Sequence, residues 1–227
     1  MKAIDVMVRD VVTIGVDATV QQAAALLLKH RVSGLPVVDP AGKLVGIVSE
    51  GDLLRRAEAG TEQRRSWLEL MFSAKDTLAA DYVKSHSRKV SDVMTHDVIT
   101  VPSSTPLRDI ATLFEKHAIK RVPIVDSGRL VGIVSRSNLI QAVAVAPAAP
   151  PSADDAVLRE QIMTKLGTGG WARPYLVNAL VHGGTVDLWG VVATETERTA
   201  VRVAAEVTPG VRAVNDHVTV RRIEGWV

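Results

Sequence analysis

Gly42-Lys43-Leu44-Val45-Gly46-Ile47-Val48-Ser49 and Gly128-Arg129-Leu130-Val131-Gly132-Ile133-Val134-Ser135 follow one pattern written twice in the same chain. Working outward, Leu35-Pro36-Val37-Val38-Asp39 answers to Val122-Pro123-Ile124-Val125-Asp126, and Lys29-His30 to Lys116-His117. Asp10-Val11-Val12-Thr13 answers to Asp97-Val98-Ile99-Thr100, and Val6-Met7 to Val93-Met94. Order, spacing and residue type all agree, so chance is a poor explanation. A unit that recurs in this way pairs with its copy about a pseudo-two-fold axis, and the cleft between the copies is a natural ligand site. That reading favours a small-molecule sensor over a catalyst.

Each copy reads β-α-β-β-α. A short apolar segment comes first (11–16 and 98–101). A helix follows, begun by Asp17 or Thr19 in the first copy and by Ser103, Ser104 or Thr105 in the second, with Pro106 in its first turn. Val20, Ala23, Ala24 and Leu27, and likewise Leu107, Ile110, Ala111 and Phe114, recur at helical spacing. Two Val- and Ile-rich strands come next, at 35–38 and 44–48 in the first copy, joined by the turn Asp39-Pro40-Ala41-Gly42. In the second copy the turn shortens to Asp126-Ser127-Gly128. A last helix starts near Glu50 or Arg136. The paired Met7 and Met94 read as core residues.

Between the copies, residues 57–91 contain apolar runs, Trp67 to Phe72 and Leu78 to Val83, that argue for packing helices rather than a loose tether. Trp67 and Phe72 are candidates for a dimer contact. Three Pro among small residues between Ala144 and Ala153 make a semi-rigid linker. Beyond it the order is α-β-β-α-β. Asp154 or Asp155 caps a helix through Val157, Leu158, Ile162 and Leu166. Strands at 176–181 and 186–192 flank His182-Gly183-Gly184. A helix over 195–207 ends at Pro209-Gly210, and an alternating strand closes at 211–220. The chain is therefore read as α+β, divided at 1–56, 57–91, 92–145, 146–153 and 154–222.

Composition narrows the function. The 227 residues contain no Cys, which excludes disulfides, zinc–thiolate sites and Cys nucleophiles. Net charge is only +2, too small to argue for nucleic acid. Residues 154–227 carry eight Lys/Arg and nine Asp/Glu, which is not an anionic-membrane patch. Met1 is followed by Lys2-Ala3-Ile4-Asp5 rather than by an apolar run, so a cytoplasmic location is expected. The six His are scattered, and neither a nucleophile elbow nor a phosphate loop is written in the chain. A catalytic role is not expected. Trp171, Trp189 and Trp226 stand out in the C-terminal part. Trp189, between apolar neighbours, reads as a core residue first and as part of an outward binding surface second.

The doubled unit resembles the cystathionine-β-synthase (CBS) domain, present as a tandem pair. The resemblance rests on the Leu-Pro-Val-Val-Asp and Val-Pro-Ile-Val-Asp strands and on the endings Gly46-Ile47-Val48-Ser49-Glu50-Gly51-Asp52-Leu53 and Gly132-Ile133-Val134-Ser135-Arg136-Ser137-Asn138-Leu139. The C-terminal part resembles a BON domain through Gly184-Thr185-Val186-Asp187-Leu188-Trp189-Gly190 and Pro209-Gly210-Val211-Arg212-Ala213-Val214-Asn215-Asp216.

The first resemblance implies a regulatory module that binds an adenosine-containing ligand (AMP, ADP, ATP, an NAD-type molecule or S-adenosylmethionine) between the copies. Asp52 would accept from both ribose hydroxyls, and Ser49 would help hold ribose or phosphate. A carboxylate at a helix start offers two acceptors to a vicinal diol, and the same N-terminus favours phosphate. Asn138 replaces the Asp in the second copy. Lys120, Arg121, Arg136, Ser135 and Ser137 would supply phosphate contacts there. Backbone at Gly34-Leu35 and Arg121-Val122-Pro123 would recognise adenine, and Thr13 and Thr100 complete the candidate set. No catalytic cofactor or metal is implied, and a homodimer of pairs is expected. The BON resemblance implies an output toward phospholipid or a partner protein. The alternatives are an interaction scaffold with degenerate nucleotide sites, or a weak nucleic-acid binder.

Overall fold

A computed structural model describes residues 1–54, 82–145 and 151–221. The chain divides into two compact units. One comprises Val12–Ile99 and Gly128–Leu130, the other Met1–Val11, Thr100–Ser127 and Val131–Val227. Each unit thus holds the body of one repeat and the leading segment of the other.

In the unit built on the first repeat, β1 (Ile14–Gly15) runs parallel to β2 (Gly34–Val38), which pairs antiparallel with β3 (Leu44–Ser49). Between β1 and β2 lies α2 (Val20–His30), and α3 (Glu50–Leu53) follows β3. Of the two expected caps, Thr19 is the one used. Its hydroxyl accepts from Gln22 N at 3.1 Å while Gln22 Oε1 accepts from Thr19 N at 2.8 Å, a reciprocal capping box. The β2–β3 turn is held by Asp39 Oδ1, which accepts from Ala41 N and Lys43 N, with Gly42 at φ 79°. Leu27, Leu35, Val37 and Val48 form the core. The second repeat's leading helix α4 (Val90–Val93) completes that core with Val90, Val93 and Met94. Residues 82–86 are helical, while the rest of the connecting segment before them, with Trp67 and Phe72, lies outside the described residues.

The second unit repeats the plan. Its leading helix α1 (Ala3–Val6) comes from the first repeat, and its body carries α5 (Leu107–Lys116), the hairpin β4 (Arg121–Asp126) and β5 (Arg129–Ser135), and α6 (Arg136–Val145). The expected first strand is reduced to one parallel bridge, Val101 to Ile124. Pro106 stands one residue before α5, as its N-cap, not inside the first turn. Met7 and Met94 are both buried. A Cβ on Gly132 would lie 2.6 Å from Met7 Sδ, and one on Gly46 would run into Met94 Sδ. In each unit a leading-segment methionine therefore fills the space of an absent side chain on a strand of the other repeat's body. That is why Gly recurs at the centre of both octapeptides.

The C-terminal part belongs to this same unit. It runs α7 (Ala153–Thr168), a 3₁₀ turn (Pro174–Leu176), β6 (Val177–His182), β7 (Thr185–Val192), α8 (Glu195–Glu206) and β8 (Ala213–Val220), in the expected order. β6 and β7 are antiparallel, β7 and β8 parallel, and β7 is central. The parallel pair is reached through α8, since parallel neighbours need a crossover. Leu158, Ile162 and Leu166 of α7 pack with Val177, Ala179 and Val181 of β6, Val186 and Leu188 of β7, and Val201 and Ala205 of α8.

The cap of α7 is Ser152, not Asp154 or Asp155. Asp155 is its reciprocal partner and also accepts from Gly183 N at 3.1 Å and Gly184 N at 2.9 Å. Burial opposes its ionisation. The N–H donors of Ser152, Gly184 and Gly183 outweigh that and hold the carboxyl at about 2, below its ordinary 3.8. The glycine turn is thereby tied to the helix start.

Candidate functional site

In the first repeat the geometry gathers Gly34, Leu35, Ser49 and Asp52. Gly34 is registered opposite Ser49 and Leu35 opposite Val48. Glu50 N, opening α3, donates to Ser33 O at 3.2 Å. Ser49 N and Ser49 Oγ both donate to Asp52 Oδ2, at 2.9 and 2.7 Å. Asp52 Oδ1 takes no hydrogen bond from the described residues, and the side chain is half-buried. One carboxylate oxygen therefore locks the strand-to-helix corner while the other is left for a donor.

The second repeat reproduces the corner bond for bond. Arg136 N donates to Lys120 O at 3.1 Å, as Glu50 N does to Ser33 O. Ser135 N and Ser135 Oγ both donate to Asn138 Oδ1, at 2.8 Å each. Val122 and Pro123 are buried in β4 beside half-buried Arg121, and Lys120, Arg136 and Ser137 are exposed. Thr13 and Thr100 lie one residue before Ile14 and Val101, and neither side chain hydrogen-bonds to Ser49–Asp52 or to Ser135–Asn138.

The copies part at the fourth residue of the corner. Asn138 is only 5% exposed. Its Nδ2 donates to Gln141 Oε1 at 3.4 Å, and that oxygen also accepts from Nδ2 of Asn178, on β6, at 3.2 Å. Asn178 Nδ2 donates to Val6 O at 2.9 Å. Arg159 of α7 donates to Asn178 Oδ1 (2.9 Å), Ala179 O (2.8 Å), Ile4 O (3.1 Å) and Met7 O (2.7 Å). Val6 closes α1 and Met7 caps it, so Arg159 and Asn178 satisfy carbonyls that a helix end leaves without partners.

Burial, and next Arg9, lower the Arg159 pKa to about 10, with Asp5 and Glu160 pulling the other way, and the guanidinium stays charged at neutral pH. All its hydrogen bonds among the described residues go to uncharged oxygens. An ion pair between Arg9 and Glu160 joins the same two segments. The C-terminal part is thus seated on α1 and α6 by buried polar contacts, where the Pro-rich stretch suggested only a tether.

Arg159, Asn178 and Gln141 were not among the residues singled out from the sequence. The first two carried a signal all the same. Arg159 interrupts the apolar stripe Leu158-Ile162-Met163-Leu166, and Asn178 interrupts Val177–Val181. A polar residue on a buried face needs partners.

Trp189 is half-buried, with its indole nitrogen shielded from solvent. It lies on the sheet face opposite the α7–α8 core and stacks on His217, with centroids 4.1 Å apart. Asp187, on the same face, accepts from Asn215 Nδ2 at 3.0 Å and faces His217 Nε2 at 3.0 Å. Trp171 is partly exposed, and Trp226 lies outside the described residues. Among the described residues no group of three or more His, Asp or Glu side chains is arranged to hold a metal ion.

The CBS domain pattern matches residues 3–59 and 90–145, and the BON domain pattern matches 154–222. This chain belongs to the CBS-domain family. It is a tandem-CBS protein that carries a C-terminal BON domain. An uncharacterized protein of Methanocaldococcus jannaschii, MJ1426, is 37% identical to it over 129 residues, 52% of this chain and 77% of that protein. The chloroplastic CBS domain-containing protein CBSX1 of Arabidopsis thaliana is 35% identical over 130 residues, 55% of each chain. The matched region therefore spans only about half of that relative's length. A crystal structure of CBSX2 in complex with AMP superposes on 63% of this chain and 96% of its own, with a TM-score of 0.55 at 31% identity. Among the described residues no helix is long and apolar enough to cross a membrane.

Proposed function

We propose that the CBS repeats bind an adenosine-containing ligand of the AMP, ADP, ATP or NAD type as a regulatory signal, without turning it over, and that the BON domain delivers the output to a partner protein or to phospholipid. The observation that carries this reading is the Ser49–Asp52 corner, held in a fold that the AMP complex of CBSX2 shares. Asp52 Oδ2 is spent on the corner, and Oδ1 is available to a ribose hydroxyl. Gly34-Leu35 lies beside the corner as the backbone edge for adenine. Exposed Lys120 and Arg136, with Arg121, Val122, Pro123, Ser135 and Ser137, are the phosphate and base candidates of the second repeat. Thr13 and Thr100 are the remaining candidates. A ligand of this kind signals only through unequal affinity for two arrangements of the protein.

Thermal unfolding of the full chain against AMP, ATP, NAD, S-adenosylmethionine and adenosine tests the reading. The expected result is a saturable rise in melting temperature with at least one of them, because a ligand of the native state stabilises by mass action. The Asp52→Ala variant should need roughly tenfold more ligand, a loss of about 1.4 kcal/mol. No shift with any of the five at millimolar concentration overturns it.

A further inference from the structure

The second repeat's corner is not an independent copy of the first, because its Asn138 is wired into the seat of the BON domain. Asn138 Oδ1 already accepts two hydrogen bonds, from Ser135 N and Ser135 Oγ. A carbonyl oxygen has two lone pairs, so this one is full. Only the amide nitrogen remains for a ligand; one of its two N–H groups goes to Gln141 Oε1, and burial of the residue shields the other. Gln141 Oε1 is held from the other side by Asn178, whose own oxygen is fixed by Arg159. Arg159 is in turn anchored on Ile4 O and Met7 O. Asn138, Asn178 and Arg159 are each 5% exposed or less. A half-made network in such a place would be costly, so the chain favours one arrangement.

We propose that this relay is an autoinhibitory latch: while the BON domain is seated, Gln141 holds the Asn138 amide and closes the second repeat's corner to a ribose diol. The seated protein then takes adenosine ligand at the Asp52 corner only. A ligand that claims Asn138 must draw its buried amide away from Gln141, which leaves Gln141 Oε1 with Asn178 alone among the described residues and breaks the relay between corner and seat. Occupancy of the second corner and seating of the BON domain oppose each other, and by linkage the opposition is reciprocal. The inference rests on adenosine-ligand binding by the first corner, which the experiment checks separately.

AMP is titrated calorimetrically into the full-length wild type and into Asp52→Ala, Gln141→Ala and the double variant Asp52→Ala/Gln141→Ala. The wild type should bind one AMP per chain, and Asp52→Ala should bind it about tenfold more weakly. Gln141→Ala should reveal a second AMP, at least about tenfold tighter than any second event in the wild type, within the usual range of coupling between sites. The double variant should gain one tighter AMP event that Asp52→Ala lacks. A gain of binding cannot come from a misfolded variant.

Two equal AMP in the wild type, or no gain in either Gln141 variant while Asp52→Ala still weakens the wild-type event, overturns the latch and leaves the first corner standing. No AMP bound by any of the four proteins overturns both.

Discussion

The two CBS repeats share a backbone frame and differ in what one side chain is free to do. At the first, the helix-start carboxylate spends one oxygen on the Ser49 corner and keeps the other, half-buried. At the second, the amide of Asn138 spends its oxygen on the Ser135 corner and one N–H on Gln141, and is buried. Charge tracks the difference. A carboxylate that meets a donor makes a hydrogen bond worth roughly 1.5–3 kcal/mol, against about 1 for a neutral pair. The corner is common to both repeats, and its chemistry differs in the one on which the C-terminal part is seated.

The sharpest way to break this comparison is at Arg159. Arg159→Ala removes hydrogen bonds to Ile4 O, Met7 O, Ala179 O and Asn178 Oδ1. Stranding buried acceptors costs about 1–3 kcal/mol each where water cannot replace the donor, and some carbonyls will regain water. The expected loss is therefore about 3 kcal/mol, confined to the unit that carries the second repeat. Denaturant unfolding should split into two transitions, with the first-repeat unit unmoved. A single transition at the wild-type midpoint would show that the seat contributes nothing.

The paired glycines sharpen the comparison further. Gly132→Ala places a Cβ 2.6 Å from Met7 Sδ and 3.1 Å from the backbone carbonyl of Val8, which cannot yield. Gly46→Ala drives one into Met94 Sδ, and its three nearest atoms all belong to the Met94 side chain, which can turn aside. Overpacking costs typically about 1–3 kcal/mol. We expect Gly132→Ala near the middle of that range, and Gly46→Ala below it. Equal melting temperatures for the two variants would contradict the asymmetry.

The smallest effect is in acid. The folded pKa of Asp155 lies below its unfolded value, so its contribution to stability is complete above about pH 4 and fades as pH falls toward 2. Asp155→Asn should lower stability at neutral pH by about 1 kcal/mol and flatten the acid limb of the unfolding profile. An unchanged acid limb, followed by circular dichroism, would place the lost contact elsewhere.

Much of the frame was legible because it is local or repeated. The doubled octapeptide, the Val- and Ile-rich strands, Gly42 in its turn and Thr19 with Gln22 three residues on are each decided within a few residues. The corner residues Ser49, Asp52, Ser135 and Asn138 were legible for the same reason. Ser152 escaped notice because the two Asp that follow it look like caps themselves. Only the contact of Asp155 with Gly183 and Gly184 shows which role it fills. Trp189 was read as core because strand alternation says that two faces exist without saying which side chains meet on each. Here β7 puts Val186 and Leu188 inward and Trp189 on the other face, against His217.

By itself the sequence determined the repeat, the element order within each copy, the strand-to-helix corner in each, and the change of chemistry from Asp52 to Asn138. Periodicity, turn chemistry and side-chain identity act over a few residues, and the chain states them openly. Tertiary structure decided that each repeat's leading segment joins the core of the other, that Arg159 and Asn178 fill the carbonyls at the end of α1, and that Asn138 answers to Gln141 instead of to solvent. Those outcomes depend on partners up to 172 residues apart, as Val6 and Asn178 are. A buried donor must find its acceptor wherever the fold places one, and no local pattern names it.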